Sequence, residues 1–331
     1  MKKYNVAIVG IRGVVGNSMF EILKERQFPI NDLRLLSFNP DKALRTYEID
    51  GKEYKLSKLD PQAFEGVEIG LFSPGAKISK EYAPHAVNAG AVVIDNTSQF
   101  RMDPEVPLVV PEVNPDDVFK HKGIIANPNC STIQMVVALK PLYDYAKIKR
   151  VVVSSYQAVS GAGSAAIDEL NAQLKGNMDV KIFQHQIAQN LIPHIDVPQD
   201  NFYTKEEMKM VYETTKIMGD DSIKVTATCV RVPIFGAHSE SVNIETEKKI
   251  TREKAIKLLS GAPGVRVVDD ITNNQYPMPL MAEGKDEIFV GRIREDESIA
   301  NGLNLWVVAD NIRKGAALNA VQIAEELIKK F

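Results

Sequence analysis

A chain of 331 residues exceeds what one ordinary hydrophobic core spans, so two domains are expected. Its composition, 44% hydrophobic and 25% charged, is that of a globular protein, and a net charge of -3 offers nucleic acid no basic field. No apolar run approaches the roughly 20 residues of a membrane helix. The two cysteines, Cys130 and Cys229, suit a reducing cytoplasm better than a disulfide framework.

The start, Met1-Lys2-Lys3-Tyr4, runs into a strand pattern with no signal-peptide core, so a cytoplasmic location is expected. Tyr4 to Val9 reads as a buried strand, and a glycine turn leads into a helix over Met19 to Leu23. Leu33 to Ser37, Val67 to Phe72 and Ala91 to Ile94 read as further strands, with a helix over Lys77 to Ala89. This alternation argues a doubly wound parallel sheet over residues 1–127. Beyond Asn127-Pro128-Asn129 the pattern changes. Ile133 to Tyr145 is helical, and Arg150 to Val159, Ile223 to Val232, Ser239 to Glu247 and Leu303 to Ala309 are long, partly alternating strands. They predict a second domain over 128–314 with a mixed sheet. Between Phe183 and Met218 only Met208 to Met218 reads as helix. A final helix, within 315–331, is expected to pack back on the first domain.

Gly10, Gly13 and Gly16 sit between the first strand and its helix, with Arg12, Val14 and Val15 among them. Glycines there let the backbone approach a pyrophosphate, whose charge suits the helix start. The second strand ends in Ser37 without the carboxylate that usually binds a ribose 2′-hydroxyl, and Arg12, Lys42 and Arg45 are nearby cations. That pattern favours a 2′-phosphate, hence NADP (NADPH).

Cys130 lies in Asn127-Pro128-Asn129-Cys130-Ser131-Thr132, directly before an apolar helix. Backbone N–H groups and the helix dipole there favour a thiolate nucleophile. Cys229, inside an apolar strand, reads as a core residue. No cysteine and histidine cluster has metal-ligand spacing, so no metal is expected.

Asn127 to Thr132 resembles the active-site motif of the aspartate-semialdehyde dehydrogenase family. Ser155 to Gly163, Cys229 to Pro233, Gly236 to Glu240 and Asp310 to Gly315 agree with that family in order and spacing. The resemblance implies an α/β fold, with a Rossmann-type doubly wound nucleotide-binding domain and an α+β catalytic and dimerisation domain. It implies NADP-dependent formation of aspartate semialdehyde from aspartyl phosphate, releasing phosphate, for lysine, threonine and methionine synthesis. The assembly implied is a homodimer or a dimer of dimers, with no membrane or nucleic-acid partner.

By the same resemblance Cys130 is the nucleophile, His238 the general acid/base, and Gln157 orients the acyl group or thiol. Arg231 binds the substrate α-carboxylate and Glu213 its amino group, while Arg101 and Lys216 bind phosphate. Ser73, Gly75, Ser160, Gly161, Gly163 and Asn311 lie near the cofactor. The glycine turn departs from the family's usual Gly-Ala-Thr-Gly, reading Gly10-Ile11-Arg12-Gly13. Two alternatives stand beside this reading. An N-acetylglutamyl-phosphate reductase usually carries Pro-Gly-Cys where this chain has Pro128-Asn129-Cys130, and a catalytically silent paralogue should have lost its nucleophile or base.

Overall fold

A computed structural model describes residues 2–38 and 46–330, so Lys42 and Arg45 of the cofactor expectation lie outside the described residues. The chain forms two compact units, Met1–Pro128 with Ala316–Phe331, and Asn129–Gly315.

In the first unit the chain runs β1 (Tyr4–Val9), α1 (Val14–Glu25), β2 (Ile30–Ser37), β3 (Tyr47–Ile49), β4 (Lys52–Tyr54), β5 (Leu56–Lys58), β6 (Ile69–Phe72), α2 (Ala76–Asn88), β7 (Val92–Asp95) and β8 (Ile124–Ala126). Six strands form one sheet in the order β5-β2-β1-β6-β7-β8, every pair parallel. β6 and β7 are buried at every position, as strands covered on both faces must be. Ile8 and Ile94 pack with Met19, Phe20 and Leu23 of α1, and with Val321 and Ala324 of α8 (Leu318–Leu327). Val9, Phe72 and Val93 pack with Ala83 and Ala86 of α2 in a separate core. Chain order reverses between β1 and β6, and the turns leaving these two strands meet. A Cβ on Gly10 would lie 2.9 Å from the backbone of Ser73 and Pro74, and Gly10 has a φ of +89°. Glycine is therefore demanded at the crevice where doubly wound sheets bind ligands.

The second unit begins with α3 (Cys130–Ala146) and β9 (Ile148–Gln157), then α4 (Ser164–Leu174), α5 (Lys205–Met218), β10 (Lys224–Arg231) and β11 (His238–Thr246). It continues with α6 (Arg252–Ser260), β12 (Val265–Val267), α7 (Pro279–Ala282), β13 (Ile288–Asp296) and β14 (Gly302–Ala309). The sheet order is β10-β9-β11-β14-β13-β12. It is mixed, because β9 and β10 run parallel while β11 is antiparallel to both β9 and β14. Helices α3, α5 and α6 cover one face, toward which β9 turns its buried positions Val151, Val153, Ser155 and Gln157. Val152, Ser154 and Tyr156 alternate with them, and Tyr156 stacks obliquely on Trp306 at 5.5 Å. Helix α5 starts three residues before the expected Met208, at Lys205. Thr204 and Glu207 close a reciprocal capping box there, which supplies two orphan backbone N–H groups with acceptors.

Candidate active site

Cys130 is the first residue of α3, and the side-chain oxygen of Asn129 accepts from the N–H groups of Ser131 (3.0 Å) and Thr132 (3.3 Å). The cap fixes where the helix starts, and so where its positive end lies relative to the thiol. Cys130 is partly exposed, whereas Cys229 is fully buried and its thiol is pushed up, first by burial and then by the charge of Glu206. The contrast matches one reactive and one inert sulfur. Gly315 lies against the nucleophile, where a Cβ would come within 2.9 Å of the Cys130 Cβ.

His238 opens β11, aimed by the turn Gly236-Ala237, in which Ala237 holds a φ of 62°. Such a left-handed non-glycine residue persists only where its surroundings enforce it. His238 is completely buried. Its Nδ1 accepts from the Ala158 N–H at 3.1 Å, which leaves the ring proton on Nε2. Nε2 is itself buried and has no hydrogen-bond partner among the described residues. Burial first, and then the charge of Arg231, hold the imidazole down to about 3 against weaker opposition from Glu206, so it is neutral. Arg231 ends β10, nine-tenths buried, donating from Nη1 to the Ala158 carbonyl at 2.7 Å. Burial lowers its proton affinity, while the charges of Glu206 and Cys130 oppose that. The two groups converge, since a Cβ on Gly161 would lie 2.9 Å from Arg231 Nη1 and 3.2 Å from His238 Nε2. An unpartnered donor and a buried cation thus face one small space.

Gln157, at the end of β9, donates from its amide to Ser131 Oγ (2.6 Å) and Glu206 Oε1 (3.1 Å). Glu206 also accepts from the Asn129 side chain (2.9 Å) and pairs with Lys209 (2.9 Å), which reaches Asp196 at the same distance. Burial alone would raise the Glu206 carboxyl, but the Lys209 charge and these hydrogen bonds bring it to about 2. Lys209 is raised in turn, because Glu206 and Asp196 outweigh its own burial.

This pair differs from the expected one. Glu213 is buried and accepts from the backbone N–H of Asn129 at 2.6 Å, at the α3 start. Lys216 is half-buried near the end of α5. Glu206 and Lys209 stand seven residues earlier on α5, two helical turns away and on the same face. Both pairs have the Glu-x-x-Lys spacing, so spacing does not separate them. The capping box was the signal that extends α5 to the earlier pair.

In the second unit Asn311 donates to Ser160 Oγ at 3.0 Å, and Gly163, with a φ of 91°, precedes α4. In the first unit Gly13 precedes α1, whose first turn has no side-chain cap and no acidic residue. The Val14, Val15 and Gly16 end of that helix fits a phosphate, and a side chain on Gly16 would strike the Gly10 carbonyl. Arg12 is half-buried in the same turn, and its Nε has no partner among the described residues. Ser73 bonds back to the Val9 carbonyl, Gly75 precedes α2 with a φ of 95°, and Ser37 is buried at the end of β2. Arg101, the expected phosphate ligand, is buried in the first unit. It is 8% exposed and donates to the carbonyls of Asn127 and Asn96, each at 2.9 Å. Among the described residues no group of three or more His, Cys, Asp or Glu is placed to hold a metal, and no helix is long and apolar enough to cross a membrane.

Two family models match the chain: "Semialdehyde dehydrogenase, NAD binding domain" over residues 5–121 and "Semialdehyde dehydrogenase, dimerisation domain" over residues 139–314. The aspartate-semialdehyde dehydrogenase of Aquifex aeolicus is 59% identical, covering 99% of this chain and 98% of its own. Aspartate-semialdehyde dehydrogenase 2 of Vibrio cholerae is 50% identical over 100% and 99% of the two chains. A crystal structure of aspartate semialdehyde dehydrogenase II from Vibrio cholerae, complexed with ASA, matches with a TM-score of 0.95 at 49% identity, covering all of both chains.

Proposed function

This chain belongs to the semialdehyde dehydrogenase family, and from that premise we propose that it interconverts L-aspartyl 4-phosphate and L-aspartate 4-semialdehyde through a thioester on Cys130. The observation that carries the mechanism is the convergence of Arg231 Nη1 and His238 Nε2 on Gly161, in the unit that holds Cys130. A substrate α-carboxylate docks on Arg231, which is planar, permanently charged and already desolvated. The Cys130 thiolate adds to the acyl carbon, the C–O bond to phosphate breaks, and inorganic phosphate leaves. The Gly10 to Gly16 turn would hold a nicotinamide dinucleotide, whose chemistry when bound would be hydride supply for reduction of the thioester. The alkoxide so formed expels the Cys130 thiolate as aldehyde, with no net proton required.

His238 suits this cycle as a neutral donor. Its Nε2–H stabilises the oxygen on which charge develops, and its Nδ1 stays on Ala158. Full acid/base duty would place a second proton at Nδ1 and break that contact. A carboxylate on Arg231 also screens the cation that depresses the imidazole, so substrate binding raises the proton affinity of the ring. Gln157 and Glu206 hold the start of α3. Lys209, 18% exposed at its side chain, is the cation we assign to the anionic end of the substrate in place of Lys216, with Glu206 in place of Glu213. The 2′-phosphate of NADP is assigned to Arg12, whose buried Nε has no partner among the described residues, and the reaction to the cytoplasm, which suits a chain with only two cysteines.

The test is the reverse assay with aspartate semialdehyde, phosphate and either NADP or NAD, run beside N-acetylglutamate semialdehyde. Phosphate-dependent reduction of NADP by aspartate semialdehyde is expected. Preference for the acetylated substrate, or no turnover with either, contradicts the proposal.

A further inference from the structure

Glu240 is a buried ionisable group that takes no part in the mechanism above. Glu240, two residues beyond His238 on β11, is completely buried, and neither of its carboxyl oxygens has a hydrogen-bond partner among the described residues. Its neighbours are uncharged. Ser155 lies opposite it on β9, Val307 opposite on β14, Gln134 reaches it from α3, and the neutral thiol of Cys229 lies near it on β10. An ionised carboxylate without a cation is prohibitively costly there. The Gln134 side-chain oxygen is also buried and without a donor, while the Gln134 amide points to the His238 carbonyl at 3.5 Å. Both Glu240 oxygens and the Gln134 oxygen are thus buried acceptors without a donor; a proton on Glu240 supplies one to Gln134, and the unpartnered Ser155 hydroxyl lies opposite Glu240 on β9.

We propose that Glu240 and Gln134 form a buried acid–amide pair, in which the Glu240 O–H donates to Gln134 Oε1 and the Gln134 amide holds the His238 carbonyl. Glu240 is a positioning residue. It touches no substrate, and it fixes the strand end from which the His238 ring reaches the reacting oxygen. Burial raises the Glu240 carboxyl well above its usual range, opposed only by the proximity of the polar Gln134 side chain. The functional half rests on the reading of His238 above, whereas the protonation state stands independently of it.

The stability consequence has a definite sign. Unfolded, the carboxyl ionises above 4.5, and folded it keeps its proton, so Glu240 withdraws stability as pH rises above 4.5. Glu240→Gln, which supplies an N–H donor at the same place, removes that slope. The variant should melt above the wild type at neutral and alkaline pH, with the gap closing as pH falls toward 4.5. Infrared difference spectra of wild type minus Glu240→Gln at neutral pH should show the carbonyl stretch of a protonated carboxylic acid. In turnover, Glu240→Gln should keep kcat within about twofold and leave the pH profile unmoved. Glu240→Met and Gln134→Leu should each lower kcat about ten- to a hundredfold with KM little changed, since misplacement of a reacting group costs on that scale. The double variant should be no worse than either single one. Absence of the protonated-acid band, or a melting gap of the opposite sign, overturns the pair itself. Intact spectroscopic signatures with unaltered kcat in Glu240→Met and Gln134→Leu overturn only its link to His238.

Discussion

At the residue scale, the space between Arg231 and His238 exists because Gly161 has no side chain. Gly161→Ala should raise KM for aspartate semialdehyde far more than for the nucleotide, as initial rates with each varied in turn will show. Arg231→Lys keeps the charge but loses the planar two-bond grip, and should lower kcat/KM by about ten- to a hundredfold, or roughly 1.5–3 kcal/mol. His238 makes two pH predictions. In the free enzyme it is neutral down to about 3, so kcat/KM should show no acid limb near 6.5 from this residue. For folding, the unfolded imidazole binds its proton near 6.5 and the folded one near 3, so His238 withdraws stability as pH falls between those values. Glu206, near 2 when folded against its usual 4.5, adds the same sign as pH falls through 4.5. Urea midpoints at several pH values should therefore drop less steeply on acidification in His238→Gln than in the wild type. An equal slope in both would contradict the buried neutral imidazole. Of the residues the proposed mechanism uses, Cys130, Gln157, Arg231 and His238 were legible in the sequence because each lies in a short motif that carries the family resemblance. Glu206 was not, because Glu213 repeats its spacing on the same helix face, and only the fold decides which carboxylate meets Gln157.

At the element scale, the start of α3 organises the site. Asn129 caps it, its side chain reaches Glu206, and its own N–H is held by Glu213. Asn129→Ala should cost about 1 kcal/mol or somewhat more, as loss of an N-cap does. It should also slow Cys130 alkylation by iodoacetamide, because the N–H groups that favour a thiolate lose their fixed positions. Alkylation as fast as in the wild type would separate the cap from the thiol's reactivity. Glu213→Gln should behave like a milder Asn129→Ala, while Glu206→Gln should disturb Gln157 and Lys209 and cost turnover first. The long strands β9, β10, β11 and β14 were legible from their apolar alternation. β13 was not, because the charged residues of its Arg292 to Asp296 half obscure a buried run from Ile288 to Gly291. Helices α4 and α6 were missed because their apolar stripes are short, with only Ala255 and Leu259 buried in α6.

At the scale of the whole molecule, Ser154 and Tyr156 alternate with the positions of β9 that face the helices, so they lie on the other face of the mixed sheet, where Tyr156 meets Trp306, within the residues matched as a dimerisation domain. A second copy bound there makes an isologous two-fold contact. Tyr156→Arg should shift the protein from dimer to monomer in light scattering at micromolar concentration, and an unchanged dimer would move the interface elsewhere. The central claim is the covalent one, and it can be tested without the cofactor. Wild-type protein is mixed with L-aspartyl 4-phosphate, quenched in acid, and its peptides are weighed by mass spectrometry. One aspartyl group should be found on the peptide carrying Cys130, released by hydroxylamine and missing from Cys130→Ala. An aspartyl group on any other residue, or phosphate released with no covalent adduct, would contradict the mechanism.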